Sequence, residues 1–173
     1  MIGHDEIDGK ELIVEAEKHS QSLLNFFYRQ GVSFCEAQDL VQETFLRLWK
    51  YRREYVKTAK LTTFLFIIAR QVRLDALRRE TRRFTREERW SKERSWISES
   101  PEYCQSDDVR WAVQHLPETL RDVIELGVYQ DLPYAEISEI LSIPVGTVKS
   151  RMFNALKKLK EIFDDEGPEK STR

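Results

Sequence analysis

The sequence predicts an all-α protein in which two small helical domains are joined by a charged linker and the C-terminal domain contains a helix-turn-helix. Three observations support this prediction. Apolar residues recur at spacings of three and four, which is the period of a helix buried on one face. Proline-marked turns divide the last third of the chain into short segments. Positive charge is concentrated in two separate blocks.

The distribution of charge says more than its total. The net charge of the 173 residues is only −2, which by itself does not indicate a nucleic-acid partner. Residues 46–94, however, carry 16 basic and 6 acidic side chains, and residues 145–173 carry 7 and 5. The net charge is −6 over residues 1–45 and −8 over residues 95–144. Two positive blocks indicate two places that could bind phosphates, although solvated helix faces would have the same composition.

Composition and turn signals divide the chain into four segments. They are an N-terminal domain over residues 11–83, a linker over 84–106, a C-terminal domain over 107–163 and a polar tail over 164–173. The linker lacks clean helical periodicity and mixes charged residues with serine and Pro101. It also contains Trp90 and Trp96, and disordered linkers are usually poor in aromatic residues. These two tryptophans are candidates for packing on a domain or on a partner.

The helix predicted around residues 37–49 has two distinct stripes. Its inward face comprises Ala37, Leu40, Val41, Thr44, Phe45 and Leu48. A second stripe, apolar at its centre and acidic at its rim, comprises Asp39, Gln42, Glu43, Leu46 and Trp49. This composition is typical of a partner-binding surface. The alternative is that another helix of the same domain covers Leu46 and Trp49.

A long basic helix is predicted over residues 62–83. Its buried face comprises Leu65, Ile68, Ala69, Val72 and Ala76, and its outward residues include Arg70, Arg73, Arg78, Arg79, Arg82 and Arg83. The connector before it interleaves cations with aromatic residues, namely Lys50, Tyr51, Arg52, Arg53, Tyr55, Lys57 and Lys60. Cations that track phosphates and rings that hold unstacked bases suit single-stranded nucleic acid. The alternative is a charged helix that only keeps the domain soluble.

The C-terminal domain is predicted to contain three helices, over residues 107–116, 117–130 and 133–141, and a fourth from Pro144 onwards. The turn at residues 142–144 makes the last two a helix-turn-helix, since proline is well tolerated at the start of a helix. The predicted buried stripe of the last helix comprises Val145, Val148, Met152, Leu156 and Leu159. Its outward residues are Thr147, Lys149, Ser150, Arg151 and Asn154, followed by Lys157, Lys158 and Lys160. Recognition helices contact base edges with such residues, although an ordinary amphipathic helix with a basic face would look similar.

Several functional classes are not indicated. The chain has no glycine-rich phosphate loop, no HExxH motif and no nucleophile elbow, so neither an enzyme with catalytic residues nor a cofactor is predicted. No metal site is expected, because His4, His19 and His115 are scattered and Cys35 and Cys104 have no ligand spacing. There is no leader pattern, and the longest apolar stretch, 64–69, is too short to span a bilayer. We therefore expect a cytoplasmic protein without membrane insertion.

Three segments together resemble the extracytoplasmic-function (ECF) group of bacterial sigma factors. They are AQDLVQETFLRLWKYR at 37–52, TFLFIIARQVRLDALRRETRR at 63–83 and LPETLRDVIELGVYQDLPYAEISEILSIPVGTVKSRMFNALKKLK at 116–160. The resemblance implies a non-catalytic subunit that binds core RNA polymerase and directs it to promoter DNA. It also implies an anti-sigma factor as a further partner, and a linker that threads toward the polymerase cleft.

The resemblance assigns residues to each surface. The clamp helices of the largest polymerase subunit would contact Asp39, Gln42, Glu43, Leu46 and Trp49. The minus 10 element would be recognised and opened by the loop at 51–61 and the arginine helix, with Tyr51, Arg52, Arg53, Lys60, Arg70, Gln71, Arg73, Arg78 and Arg79 as candidates. The minus 35 element would be read by Thr147, Lys149, Ser150, Arg151, Asn154, Lys157 and Lys158.

Two positions depart from the family pattern. Members of the group usually have tryptophan where Phe64 stands and asparagine where Gln71 stands, and the second of these positions is tied to strand opening.

A stand-alone helix-turn-helix regulator would explain residues 144–160 but not residues 37–83. A pure protein-interaction module would not explain the arginine helix.

Overall fold

A computed structural model describes residues 9–53, 55, 60–87 and 107–165, and within these ranges every regular element is helical. The predicted all-α fold class is confirmed. The helices form two compact units. Most of the predicted linker, including Trp90 and Trp96, lies outside the described residues, as do much of the 51–61 loop and most of the polar tail.

The described residues of the first unit form four helices. They are α1 (Gly9–Glu17), α2 (Ser20–Arg29), α3 (Phe34–Tyr51) and α4 (Leu61–Glu87). Helix α3 begins after Ser33, whose hydroxyl accepts a hydrogen bond from the Glu36 N–H at 3.2 Å. This cap satisfies one of the backbone donors that the first turn of a helix leaves without a partner.

The core of the first unit lies where α3 packs against α4. The predicted inward faces are largely correct: the buried residues include Ala37, Leu40, Val41, Thr44 and Leu48 of α3, and Leu65, Ile68, Ala69 and Val72 of α4. Phe45 and Ala76 are only half-buried, whereas Phe66 is buried and packs edge-to-face on Phe26 with ring centroids 5.4 Å apart. The Thr44 hydroxyl donates to the Leu40 carbonyl at 2.7 Å, so this buried polar group is satisfied.

Helix α4 continues further than the sequence pattern indicated. The predicted helix ended at residue 83, but the observed one runs to Glu87. The four additional residues, Phe-Thr-Arg-Glu, contain neither glycine nor proline. Since nothing in this stretch interrupts the backbone hydrogen bonding, loss of apolar periodicity did not mark the end of the helix.

The second unit contains the helices of the C-terminal segment. They are α5 (Asp107–Gln114), α6 (Glu118–Ile124) with its π-helical continuation Glu125–Tyr129, α7 (Tyr134–Leu141) and α8 (Val145–Asp165). The continuation approaches α8 and α7 closely at Gly127. A Cβ at Gly127 would lie 2.6 Å from Met152 Cε and 3.3 Å from Ile137 Cδ1. Any larger residue at this position would therefore require the end of the Met152 side chain to move.

The predicted helix-turn-helix is formed by α7 and α8. Ser142 ends α7 in the left-handed conformation, with φ 54°. The Ile143 N–H then donates to the Ser138 carbonyl at 3.1 Å, which closes the helix end. Pro144 directly precedes α8, and its carbonyl accepts from the Val148 N–H at 3.1 Å. The turn at 142–144 thus has the position that the sequence predicted.

The predicted buried stripe of α8 was partly wrong. Val148 and Met152 are buried, but Val145 is 39% exposed and Leu156 is 51% exposed. Ala155, which the prediction omitted, is fully buried. The stripe is displaced toward Ala155 because α8 packs mainly against α6 and α7, and a methyl side chain lets a neighbouring helix come close.

Replacing the left-handed Ser142 with glycine should stabilise the second unit. Ser142→Gly removes the cost of holding a side chain at φ 54°, part of which is offset by the greater freedom of glycine in the unfolded chain. We expect the free energy of unfolding to rise by about 0.5–1 kcal/mol in urea titrations. The matched control is Ala135→Gly in α7, an exposed site at which glycine should instead lower it by about 0.5–1 kcal/mol. Equal signs for the two variants would contradict this account.

Candidate functional site

The outward face of α3 exposes large apolar side chains. Leu46 is 66% exposed and Trp49 is 43% exposed. No helix among the described residues covers both side chains, so the alternative interpretation of this stripe is wrong for the part of the chain that the structure describes. Exposed leucine and tryptophan side chains one turn apart on a helix are typical of a surface that a partner covers.

These two residues lie in an apolar groove between α1 and α3. The groove has a volume of about 750 Å³. Its lining residues are Lys10, Ile13 and Val14 of α1 and Gln42, Phe45, Leu46 and Trp49 of α3. Three of the five residues predicted to bind polymerase are therefore brought together at one feature. The predicted inward residue Phe45 belongs to the same groove.

The two acidic residues of the predicted stripe are placed differently. Asp39 is exposed and is not among the groove-lining residues. Glu43 is half-buried and accepts a hydrogen bond from Arg47 Nε at 3.0 Å. The α1 wall was not foreseen, because residues 10–14 lie roughly thirty positions before the α3 residues that line the groove, and only the fold makes them neighbours. The available signal was the apolar run Leu12-Ile13-Val14, because three successive residues of a helix cannot all face one core, and Val14 is indeed 61% exposed.

Arg47 joins α3 to α4. Its Nη1 donates to Asp75 Oδ2 at 2.8 Å, and its side chain is only 18% exposed. Arg78 donates to the other carboxylate oxygen of Asp75 at 3.1 Å. The hydrogen bond from Arg47, assisted by its charge, holds the pKa of the Asp75 carboxyl below its usual range. Arg78, a predicted DNA-binding residue, is thus engaged in an exposed ion pair in the free protein.

The residues predicted for the minus 10 element differ in exposure. Arg53, Lys60, Gln71, Arg78 and Arg79 are exposed, whereas Tyr51, Arg52, Arg70 and Arg73 are half-buried. All nine lie at the end of α3, in the connector or on α4, in the same compact unit. We call the exposed cations among them, Arg53, Lys60, Arg78 and Arg79, the cationic surface of this unit.

Aromatic residues flank the start of α4. The rings of Tyr55 and Phe64 have centroids 5.3 Å apart, and burial raises the pKa of the Tyr55 hydroxyl. Phe64 is half-buried, so an aromatic ring in place of the family's tryptophan is accommodated here. Gln71 lies seven residues later, two turns along the helix on about the same side, and is exposed.

The start of α8 presents the residues predicted for the minus 35 element. Lys149, Ser150, Asn154, Lys157 and Lys158 are exposed, and Thr147 and Arg151 are half-buried. Sequence reasoning missed one residue of this face. Phe153 is 70% exposed and lies one turn from both Lys149 and Lys157. An exposed aromatic residue between cations on a recognition helix is suited to contact with base edges.

Two family models match the segments that carry these residues. The family model described as sigma-70 region 2 matches residues 16–83, and the one described as sigma-70, region 4 matches residues 106–159. The ECF RNA polymerase sigma factor SigL of Mycobacterium tuberculosis is 30% identical over 161 residues, which cover 87% of this chain and 88% of SigL. The chain belongs to the ECF sigma factors. It is therefore a transcription initiation factor that binds core RNA polymerase and promoter DNA.

Further ECF sigma factors are similar over comparable lengths. RpoE of Cereibacter sphaeroides is 27% identical over 139 residues, which cover 79% of this chain and 77% of that protein. The fold matches that of the sigma factor RpoE of Bartonella quintana, solved with the anti-sigma factor NepR. The TM-score is 0.78 at 23% identity, with coverage of 88% and 96% of the two chains. CnrH, solved with the cytosolic domain of CnrY, matches with a TM-score of 0.68 at 19% identity, over 94% and 99%.

The described residues contain no group of three or more histidine, cysteine, aspartate or glutamate side chains arranged to hold a metal ion. None of the described helices combines the length and apolar composition that crossing a bilayer requires.

The Arg47–Asp75 pair predicts a specific dependence of stability on pH. Because the folded-state pKa of Asp75 is lowered, the pair stabilises the fold above the usual aspartate pKa of about 4, and this contribution is lost as pH falls through the lower, folded-state value. Asp75→Asn should therefore lower the free energy of unfolding near pH 6, and its deficit relative to wild type should shrink toward pH 2.5.

Urea titrations at a series of pH values measure this deficit. Asp108→Asn, which removes an exposed carboxyl at the start of α5, controls for the change in net charge. A deficit of Asp75→Asn that is the same at every pH would contradict the role of the ionised pair.

Proposed function

We propose that the groove between α1 and α3 is where the clamp helices of the largest polymerase subunit dock. The observation that carries this proposal is that Gln42, Leu46 and Trp49 line one apolar groove. Clamp helices are the partner that the sequence resemblance assigns to these residues. An aromatic side chain in a desolvated pocket supplies much of the binding energy in protein interfaces. Asp39, at the exposed edge, and Glu43 complete the surface as polar contacts.

The cationic surface of the same unit is proposed to recognise and open the minus 10 element. Exposed cations such as Arg53, Lys60 and Arg79 would follow the phosphates of the separated strands. Gln71 supplies an amide donor and acceptor near the aromatic start of α4. In this proposal Arg78 exchanges its ion pair with Asp75 for a phosphate, which a 66% exposed side chain can do at little cost.

The helix-turn-helix is proposed to read the minus 35 element in the major groove. Lys149, Ser150 and Asn154 are exposed near the N-terminal half of α8, where recognition helices make base contacts. Lys157 and Lys158 would position the helix through phosphate contacts. Thr147 and Arg151 lie at the edges of this face. Phe153 provides an apolar contact of the kind that a thymine methyl group accepts.

We further propose that an anti-sigma factor holds the protein inactive in the cytoplasm and that the chain has no catalytic activity of its own. The RpoE and CnrH proteins of similar fold were solved with NepR and CnrY. The exposed Leu46 and Trp49 favour such control, since an apolar groove outside polymerase favours nonspecific association unless it is covered. The domain limits proposed for these roles are residues 11–83 and 107–163.

The deciding experiment is transcription from a library of randomised promoters by bacterial core polymerase with and without the protein. Start sites that depend on the protein should share paired upstream and downstream elements. A stand-alone regulator would instead bind duplex DNA tightly without polymerase and leave the start sites unchanged. That outcome would exclude the proposed mode of promoter recognition.

Truncating the groove residues should weaken polymerase binding. Trp49→Ala is expected to weaken binding to core polymerase by about 2 kcal/mol, which is roughly a thirtyfold higher Kd, because it removes an aromatic anchor from the groove. Titration of labelled protein with core polymerase measures this effect. Val128→Ala, which truncates a 56% exposed apolar residue in the second unit, is the matched control. Equal affinities of Trp49→Ala and wild type would remove the groove from the docking surface.

Changing the recognition helix should alter only the upstream preference. Asn154→Ala is expected to reduce discrimination at one upstream base pair by about 1–3 kcal/mol. Lys158→Ala, the comparison, should weaken binding at all sequences and reduce its salt dependence. Repeating the promoter selection with each variant provides both measurements. An altered downstream element in Asn154→Ala would contradict the assignment.

A further inference from the structure

The ring of Trp49 is held by Arg52. The guanidinium carbon of Arg52 lies 4.2 Å from the centroid of the indole ring, within the range of a cation–π contact. Nη1 of the same side chain donates a hydrogen bond to the Trp49 carbonyl at 2.7 Å. Both contacts are made to Trp49, so Arg52 holds the indole ring in place relative to the backbone of Trp49.

Gly9 of α1 lies close to the same two side chains. A Cβ at this position would lie 2.8 Å from Cζ3 of Trp49 and 2.8 Å from Cδ of Arg52. Real Cβ contacts are longer than this, so any other residue would displace the ring, the arginine or the helix. Gly9 is the first residue of α1, and the absence of a side chain there lets α1 begin directly against Trp49.

These contacts lie at one end of the groove. Trp49 and Lys10 both line the groove, and Gly9 directly precedes Lys10 on its α1 wall. The Gly9–Trp49–Arg52 cluster therefore links the two walls and sets both the position of the ring and the spacing of α1 and α3 at that end. A groove whose width is set in advance costs less to order when a partner binds.

We propose that Arg52 and Gly9 are positioning residues for polymerase binding, acting by holding Trp49 at the end of the α1–α3 groove. This inference rests on the proposed docking of polymerase in that groove. It assigns Arg52 a role different from the DNA contact that the sequence predicted. One face of the Arg52 guanidinium stacks on the ring and its Nη1 donates to the carbonyl, whereas the adjacent Arg53 is exposed.

The test measures two quantities for each variant of the full-length protein, its affinity for core polymerase and the rate of promoter opening when polymerase is saturated with it. Arg52→Ala should weaken core binding about two- to fivefold and leave opening at saturation unchanged. Arg52→Lys should retain most of the affinity, since a cation and a donor remain. Gly9→Ala should weaken core binding as well. Lys18→Ala removes another exposed cation of the unit and should bind like wild type.

A double-mutant cycle separates action through the ring from a separate contact. In a Trp49→Ala background, Arg52→Ala should cause no further loss of core affinity. Additive losses would overturn the proposal, because Arg52 would then act independently of Trp49. Normal core affinity of Arg52→Ala with slower opening would also overturn it and return Arg52 to the DNA-binding surface.

The outcomes also distinguish this inference from the proposed function. If Trp49→Ala itself binds core polymerase like wild type, the docking groove fails and this inference fails with it. If Trp49→Ala weakens binding but Arg52→Ala does not, the groove stands and only the positioning role is refuted. Helix content and thermal unfolding are measured for each variant, and Arg52→Ala decides the matter if Gly9→Ala folds poorly.

Discussion

The packing of α3 against α4 determines what the first unit can present to its partners. Leu40, Val41 and Leu48 of α3 are buried, and Arg47 ties the same face of the pair together through its ion pair with Asp75. Leu46 and Trp49 lie at other angles around the helix axis, so burying this face of α3 leaves both side chains on the outside. The arrangement also orients α4, whose cations then form the surface assigned to the minus 10 element. Both proposed binding surfaces thus depend on one helix–helix contact.

The second unit also depends on one contact between helices. There, α6 with its continuation packs closely against α8. Gly127 and Ala155 have little or no side chain where α6, with its continuation, meets α8. The left-handed Ser142 then sets the angle at which α8 leaves α7. These small residues keep the buried side of α8 narrow. As a result, the remaining circumference, with Lys149, Asn154 and Phe153, is available to DNA.

Much of this architecture was predictable because it follows from local patterns. The period of apolar residues located the helices, and the turn at residues 142–144 located the helix-turn-helix, since both signals are carried by neighbouring positions. The rest depends on contacts between distant segments. The α1 wall of the groove, with Ile13 and Val14, could not be inferred from α3. The burial of Ala155 in place of Leu156 could not be inferred from α8 alone.

The partners of the charged residues were even less predictable from the sequence. In the sequence, Arg47, Arg52 and Arg53 are equivalent members of a basic block. In the structure, Arg47 pairs with Asp75, Arg52 stacks on Trp49, and Arg53 is exposed. Charge patterning predicts that such a block meets phosphates, but it cannot say which cations the fold itself engages. That assignment requires knowing which partner each side chain reaches.

The small size of the first unit makes its exposed apolar groove a stronger indication of a binding partner. A domain of about 70 residues buries a smaller share of its surface than a larger one and has few apolar side chains to spare. Leaving Leu46 and Trp49 exposed therefore forgoes stability that burial would provide. A fold retains such residues where an interaction outside the chain uses them. The groove is thus better explained by a partner than by chance exposure, and the arginine and glycine that fix its tryptophan are part of the same interaction surface.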